Sequence, residues 1–188
     1  MAGAHGGEPL SRWVERFAPL IAAHAAVLDL ACGTGRHARL LRRLGHRVTA
    51  IDRDAEALAA LGSDPGIETV CADLETGSGW PPGARRFAGI VVTNYLHRPL
   101  MSRILDALDE GGVLIYETFA AGNERFGRPR NPDFLLCPGE LLEVVRGRLR
   151  VVAFEEGAVT APRPAVAQRI CAVHDLASAA AIAHPLEG

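Results

Sequence analysis

Three aspartates and two glycines carry the clearest chemistry in this chain. Asp29 leads into the turn Leu30-Ala31-Cys32-Gly33-Thr34-Gly35. Gly33 and Gly35 let backbone N–H groups approach a ligand, because a Cβ there would obstruct it or forbid the dihedrals. A helix that starts after such a turn favours a carboxylate or phosphate. An acid just before the glycines suits a ligand with an ammonium group and opposes one with a pyrophosphate. Asp52 lies 17 residues beyond Gly35, where its carboxylate can accept both hydroxyls of a ribose. In Ala72-Asp73-Leu74, Asp73 can accept from an adenine amino group while Leu74 packs on the ring. One such aspartate is an ordinary turn or cap residue; three at successive strand ends form a set.

The surrounding sequence supplies the elements that would hold this set. Ser11 caps a helix over about 12–24, with Trp13, Phe17, Leu20 and Ile21 as its apolar stripe and with Trp13 and Phe17 left accessible. Strands are expected at 27–30, 47–51, 67–71, 90–93 and 113–116. Between them run helices at 36–45, ended by Gly45, and 54–61, ended by Gly62. A third uses Ile104, Leu105 and Leu108 and ends at Gly111-Gly112. The Gly-, Pro- and Ser-rich stretch 74–86 reads as loop. From 119 to 137 no periodicity is visible, yet the stretch holds Arg125, Phe126, Arg128, Arg130 and Phe134. A loop of this length in a compact domain is a candidate lid over a substrate. A helix from Pro138 to about 146 follows, then strands at about 149–155 and 165–173. Their connection is too short for a crossover helix, so they should pair antiparallel. Alternating strands and helices imply an α/β, doubly wound, mostly parallel seven-stranded sheet with an antiparallel last strand. The ligand then belongs outside the carboxyl ends of the strands, near the first. Residues 1–10 read as a flexible N-terminus, 11–175 as one domain and 176–188 as a tail.

Composition narrows the partners. With 188 residues the chain fits one domain. A net charge of -2 gives no global attraction for nucleic acid or anionic membrane. The local run Arg36, Arg39, Arg42, Arg43, Arg47, with His37 and His46, reads as the solvated face of a helix. The four cysteines have no zinc spacing, and Cys71 and Cys171 lie in apolar runs where buried thiols are common. No metal is expected. Isolated cysteines, and an opening segment without a basic-then-apolar signal pattern, point to the cytoplasm.

The run Val27 to Gly35, with Asp52 and Ala72-Asp73-Leu74, resembles the three cofactor motifs of class I S-adenosylmethionine-dependent methyltransferases. The likeness spans roughly residues 11–175, closing antiparallel strand included. It is nearest to the small tellurite-resistance type, through Thr93-Asn94-Tyr95-Leu96-His97-Arg98-Pro99, Tyr116-Glu117-Thr118-Phe119 and Asn123-Glu124-Arg125-Phe126-Gly127. It implies S-adenosylmethionine as cofactor, with Asp29 near its ammonium and Ala31, Gly33 and Gly35 along its methionine part. Asp52, with Arg53 beside it, would take the ribose. Asp73 and Leu74 would take the adenine, and Asn94 would complete the cofactor set. Two positions depart from the family pattern: Ala31 replaces the first glycine, and the acid that often opens strand four is Ala88.

Methyl transfer is an in-line displacement, so the protein chiefly aligns the reactants and excludes water. A base is needed only for a protonated nucleophile. Tyr95, which can flank a sulfonium, His97 and Glu117 are the catalytic candidates. Arg125, Arg128 and Arg163 are the candidates for holding an anionic small-molecule substrate. The expected acceptor is a small oxyanion or thiol-type compound, and the protein a monomer or homodimer. Two other functions use the same turn. One is a module that binds S-adenosylmethionine or S-adenosylhomocysteine without turnover. The other is an NAD-dependent oxidoreductase, since Gly33-x-Gly35-x-x-Ala38 fits the looser dinucleotide pattern. Asn94-Tyr95 lacks the two prolines of the motif in base-amino methyltransferases, which disfavours nucleic-acid methylation.

Overall fold

A computed structural model describes residues 9–76 and 79–175; the flexible N-terminus through residue 8 and the 176–188 tail expected from sequence lie outside the described residues. Seven strands form one sheet: β1 Ala26–Leu30, β2 Arg47–Asp52, β3 Ile67–Cys71, β4 Phe87–Thr93, β5 Leu108–Phe119, β6 Arg150–Val159 and β7 Ala165–Val173. Their order is β3-β2-β1-β4-β5-β7-β6. The first five are parallel; β7 runs antiparallel to β5, and β6 antiparallel to β7. The order reverses between β1 and β4, which places a ligand crevice at the carboxyl end of β1. The doubly wound sheet with its closing antiparallel hairpin is as the sequence implies.

Period-two alternation gives each strand one residue per face. Val27, Val91, Val113 and Ile115 pack with Trp13 and Phe17 of α1 (Arg12–Phe17) and with Ala38 and Leu41 of α2 (Arg36–Arg43). Leu28, Leu30, Ile90, Val92 and Leu114 pack on the other side with Ile104 and Leu105 of α4 (Met101–Asp106) and Leu141 and Val145 of α5 (Glu140–Val145). The short α3 (Ala55–Ala59) is capped by Asp54, whose carboxylate accepts from the Glu56 and Ala57 amides.

Several expectations need correction. The first helix ends at Phe17 and continues only as a tight turn to Leu20. Trp13 and Phe17 are buried, edge to face with ring centroids 4.6 Å apart, and present nothing to a partner. Leu108 is not helical: it starts β5 opposite Phe87, and the strand runs through Gly111-Gly112. β6 extends to Val159, past the expected 155. Cys71 ends the edge strand β3 and is exposed, whereas Cys171 in central β7 is buried. The basic helix is not simply a solvated face. Arg39 donates to the Thr34 and Ala60 carbonyls, Arg42 pairs with Asp64, and His37 and His46 are buried.

The 119–137 stretch is tied down by long-range contacts. Arg98 donates to the Asp133 and Leu135 carbonyls at 2.8 and 2.9 Å and grips both oxygens of Glu140. Asn123, buried, donates to the Pro129 carbonyl and accepts from the Val166 amide.

Candidate active site

The turn after β1 is built from left-handed backbone. Ala31, Gly33 and Gly35 have φ of 54°, 55° and 75°. Gly35 caps α2, and a Cβ on it would stand 2.3 Å from Leu61 Cδ1. A Cβ on Gly33 would meet nothing within 4 Å, so that glycine borders open space. The turn is fastened to β2: the Gly33 N–H donates to Asp52 Oδ2 at 2.7 Å, and the Asp54 N–H to Asp52 Oδ1 at 3.0 Å. Ala31 shows that the missing first glycine does not prevent the turn, although alanine there carries the strain of a positive φ.

Asp29 is 1% exposed, and its Oδ2 has no hydrogen-bond partner among the described residues. Burial pushes its carboxyl up to about 7, against the lowering influence of the Ala38 amide and the Arg36 guanidinium. A buried carboxylate with an unmet oxygen can receive a cation, although Asp29 itself lines neither of the two cavities described next.

Two cavities flank the Asn94-Tyr95 step. The smaller, about 140 Å³, is lined by Ala31, Asp52, Arg53, Asp73, Leu74 and Tyr95, among others. The sequence reading named all six, and the fold brings them together from the ends of β1, β2, β3 and β4. Asp73 spends one oxygen on the Glu75 amide. The buried Tyr95 hydroxyl lacks a partner among the described residues, and desolvation raises its pKa above the ordinary phenol value. The Tyr116 hydroxyl donates to the Tyr95 carbonyl at 2.8 Å and fixes this corner.

The larger cavity, about 570 Å³, includes Ser11, Arg36, Asn94, Glu117, Phe119 and Arg163 in its lining. Asn94 has φ 55° and donates its amide to the Glu117 carbonyl. Glu117 pairs with Arg169 at 2.6 Å, and the Arg163 guanidinium lies over the Phe119 ring at 5.6 Å.

Other candidates lie elsewhere. His97 precedes the short turn Arg98–Leu100 and lines neither cavity. Arg125 donates to the Gly122 carbonyl, Arg128 is exposed, and neither lines a cavity. Of the 119–137 segment only Phe119 reaches the large cavity.

Sequence reading missed Arg12, Arg36 and Arg169 in the cavity wall, and His37 behind it. Arg36 directly follows Gly35, a signal within reach. Arg169 becomes visible only through its cross-strand position opposite Glu117. His37 Nε2 accepts the Ser11 N–H at 3.1 Å, so Nδ1 carries the proton toward Thr93 Oγ1 at 3.3 Å. Burial and Arg36 lower its pKa to about 3, which keeps it neutral. Among the described residues no cluster of His, Cys, Asp or Glu could hold a metal, and no helix is long and apolar enough to cross a membrane.

Fold and site thus define an α/β protein with a cleft of about 140 Å³, lined by acids and an aromatic ring, at the switch point of its sheet. A family model described as a methyltransferase domain matches residues 3–143, and the chain belongs to that family of enzymes. No curated protein sequence matches it significantly. Among solved structures it is similar to TehB from Haemophilus influenzae, with a TM-score of 0.75 and 19% identity, covering 91% of this chain. The chain spans 64% of that TehB. It is also similar to a TehB-like SAM-dependent methyltransferase from Corynebacterium glutamicum (TM-score 0.62, 21% identity, 92% of each chain). A third is the Burkholderia thailandensis 1,6-didemethyltoxoflavin-N1-methyltransferase, solved with its substrate and S-adenosylhomocysteine (TM-score 0.62, 21% identity, 87% of this chain and 79% of that one).

The residues present fit S-adenosylmethionine. The Asp29 oxygen that lacks a partner among the described residues could answer an ammonium group, and the open space beside Gly33 could admit a ligand. The small cavity offers acids and an aromatic ring to a nucleoside.

Proposed function

We propose that this methyltransferase takes its methyl group from S-adenosylmethionine and passes it to a small-molecule acceptor in the larger cavity. The carrying observation is buried Asp29, whose carboxylate has one oxygen unmet among the described residues, two positions before the left-handed turn begins at Ala31. S-adenosylmethionine supplies a methyl group already activated on a sulfonium. Asp29 would hold its ammonium group. Asp52 would hold the ribose, because each of its oxygens accepts one backbone amide and keeps a lone pair for a hydroxyl. Arg53 would stand beside Asp52 at the ribose, Asp73 and Leu74 would enclose the adenine, and Ala31, Gly33, Gly35 and Asn94 would lie along the rest of the donor. Tyr95 would set its ring beside the sulfonium.

Positioning and exclusion of water supply most of the rate. For an acceptor that arrives protonated, Glu117 is the first choice of base, because it lines the large cavity while His97 does not. Oxyanion- and thiol-type acceptors both suit the arginine-bearing wall. Of Arg125, Arg128 and Arg163, only Arg163 is at hand to hold them. We place the 119–137 segment on the acceptor side, through Phe119, and the enzyme in the cytoplasm as a monomer or homodimer.

Calorimetric titration tests the reading. Wild type should bind S-adenosylmethionine with a Kd on the order of micromolar, about -8 kcal/mol. Asp52→Ala should weaken this roughly 100-fold, from two lost charge-assisted hydrogen bonds of about 1.5 kcal/mol each. No binding by wild type overturns the reading. Binding with no product across a broad acceptor screen turns it toward a non-catalytic module, and tight NADH binding toward an oxidoreductase.

A further inference from the structure

The first helix cannot satisfy its own start. Ser11 caps α1 with its hydroxyl, which accepts the Trp13 and Val14 amides at 3.1 and 3.3 Å. The Ser11 N–H is left over. In a capping box a Glu or Gln three residues on reaches back to that amide, but the residue there is Val14. Ser11 is buried, and a buried N–H without an acceptor is costly.

The acceptor comes from another element. His37, in the first turn of α2 and 1% exposed, takes the Ser11 N–H on Nε2 at 3.1 Å. That bond sets the tautomer: the proton stands on Nδ1, which donates to Thr93 Oγ1 at 3.3 Å. Burial and Arg36 keep the ring neutral, as the bond requires.

The three segments that meet on this ring all carry wall residues of the larger cavity. Ser11 is itself in the lining, between Leu10 and Arg12. Thr93 precedes the lining residue Asn94, and His37 follows the lining residue Arg36, just beyond Gly35. An apolar side chain could fill the space under them. A fully bonded polar one adds fixed spacing.

We propose that His37 is a positioning residue of the methyl-transfer site. It registers the 10–12 edge of the larger cavity, and the β4 end that presents Asn94, against the turn at 33–35. The proposal rests on the reading that this turn takes S-adenosylmethionine. His37 lines neither cavity and acts only through the groups it holds. A donor seated on the turn then steadies the start of α1 through the imidazole.

The test uses the full chain, isotope-labelled for nuclear magnetic resonance. In the ligand-free protein at neutral pH, His37 should show the neutral Nδ1–H tautomer, and the Ser11 amide should be protected from exchange. Saturating S-adenosylhomocysteine should slow Ser11 exchange by a further factor of about five or more, over and above any slowing at Val91 in β4. Two variants divide the ring. Glutamine places an oxygen where Nε2 stands, and asparagine a polar group where Nδ1 stands. His37→Gln should keep the Ser11 protection and its response to S-adenosylhomocysteine. His37→Asn should quicken Ser11 exchange about tenfold, the scale of one hydrogen bond, and lose the response, while Gly33 still responds. An Nε2–H tautomer or an imidazolium at neutral pH overturns the proposal. So does a Ser11 response that survives in His37→Asn, or one absent from wild type or from His37→Gln. Wild type and His37→Gln decide the matter where His37→Asn does not fold. Failure of wild type to bind S-adenosylhomocysteine is seen at the titration and overturns the donor reading, whereas a silent Ser11 in a protein that binds overturns this proposal alone.

Discussion

Gly33 and Gly35 stand two residues apart in one turn, both at positive φ, and alanine should damage them in different ways. At Gly35, alanine meets two costs. A φ of 75° is left-handed, worth about 1–2 kcal/mol for a residue with a Cβ. The added methyl would also stand 2.3 Å from Cδ1 of buried Leu61. Displacing a packed core side chain costs about 1–3 kcal/mol. The sum is about 2–5 kcal/mol, and at about 2–4 °C per kcal/mol for a chain of this size the melting temperature should fall by about 4–20 °C. At Gly33 only the first cost applies, so the fall should be about 2–8 °C. That chain tolerance has a precedent next door, since Ala31 already sits at φ 54°. The Gly33 methyl instead enters the open space reserved for the ligand, and S-adenosylmethionine affinity should drop more than about tenfold. Calorimetric unfolding of the ligand-free variants separates the two, followed by titration. Placing Gly35→Ala in a Leu61→Ala background isolates the clash, and the double-mutant cycle should return about 1–3 kcal/mol of coupling. A Gly35→Ala protein as stable as Gly33→Ala, or a coupling near zero, would refute the steric argument.

Two further expectations concern pH and the ordered loop. Asp29, raised to about 7, stabilises the fold below about pH 4 and loses that contribution as pH rises through 7. His37, lowered to about 3, works in the opposite sense: its contribution is present above about 6.5 and is lost as pH falls toward 3. The two largely cancel between about pH 4 and 6.5, so urea-derived stability of wild type should be nearly flat there, whereas Asp29→Asn should lose about 1.4 kcal/mol per pH unit on acidification. A flat Asp29→Asn profile would contradict the lowered pKa of buried His37. Because a cationic donor requires ionised Asp29, S-adenosylmethionine affinity should also climb as pH rises from 5.5 to 7, and in Asp29→Asn it should be weak and lack that climb. Arg98→Ala removes the clamp on two carbonyls and Glu140, so hydrogen exchange across residues 131–140 should quicken by about tenfold or more while β4 stays protected. Unchanged exchange there would show that the clamp does not hold the segment.

What the sequence disclosed and what it withheld follow from the range of the interactions involved. The parallel strands were legible because each holds a short, apolar-rich run bounded by turn residues, with Asp29, Asp52 and Asp73 at or near the ends of three of them. Local chemistry also announced Gly33 and Gly35, whereas the helix read over 54–61 is the shorter Ala55–Ala59, with Asp54 as its cap. Leu108 misled because its spacing from Ile104 and Leu105 is helical, yet pairing with Phe87, 21 residues earlier, makes it strand. Cys71 misled because its run is apolar while its strand is the sheet edge, and edge position depends on all seven strands. The wall of the larger cavity was the least legible part. Glu117 and Arg169 are 52 residues apart and become opposed only when β5 and β7 pair.

The donor and acceptor sides therefore stand on different kinds of structure. The donor side is a property of backbone: three positive-φ residues, one strand-end carboxylate that fastens the turn and another buried beneath it. Such a site is encoded within about fifty consecutive residues and is readable from their spacing. The acceptor side is a property of side chains delivered by the start of α1, the end of β5 and the β6–β7 hairpin, whose spacing carries no fixed relation. Substitutions of Arg12 and Arg163 should leave the sheet in place, because both residues are exposed. The same separation that hid the acceptor from the sequence makes its specificity separable by mutation from the binding of the donor.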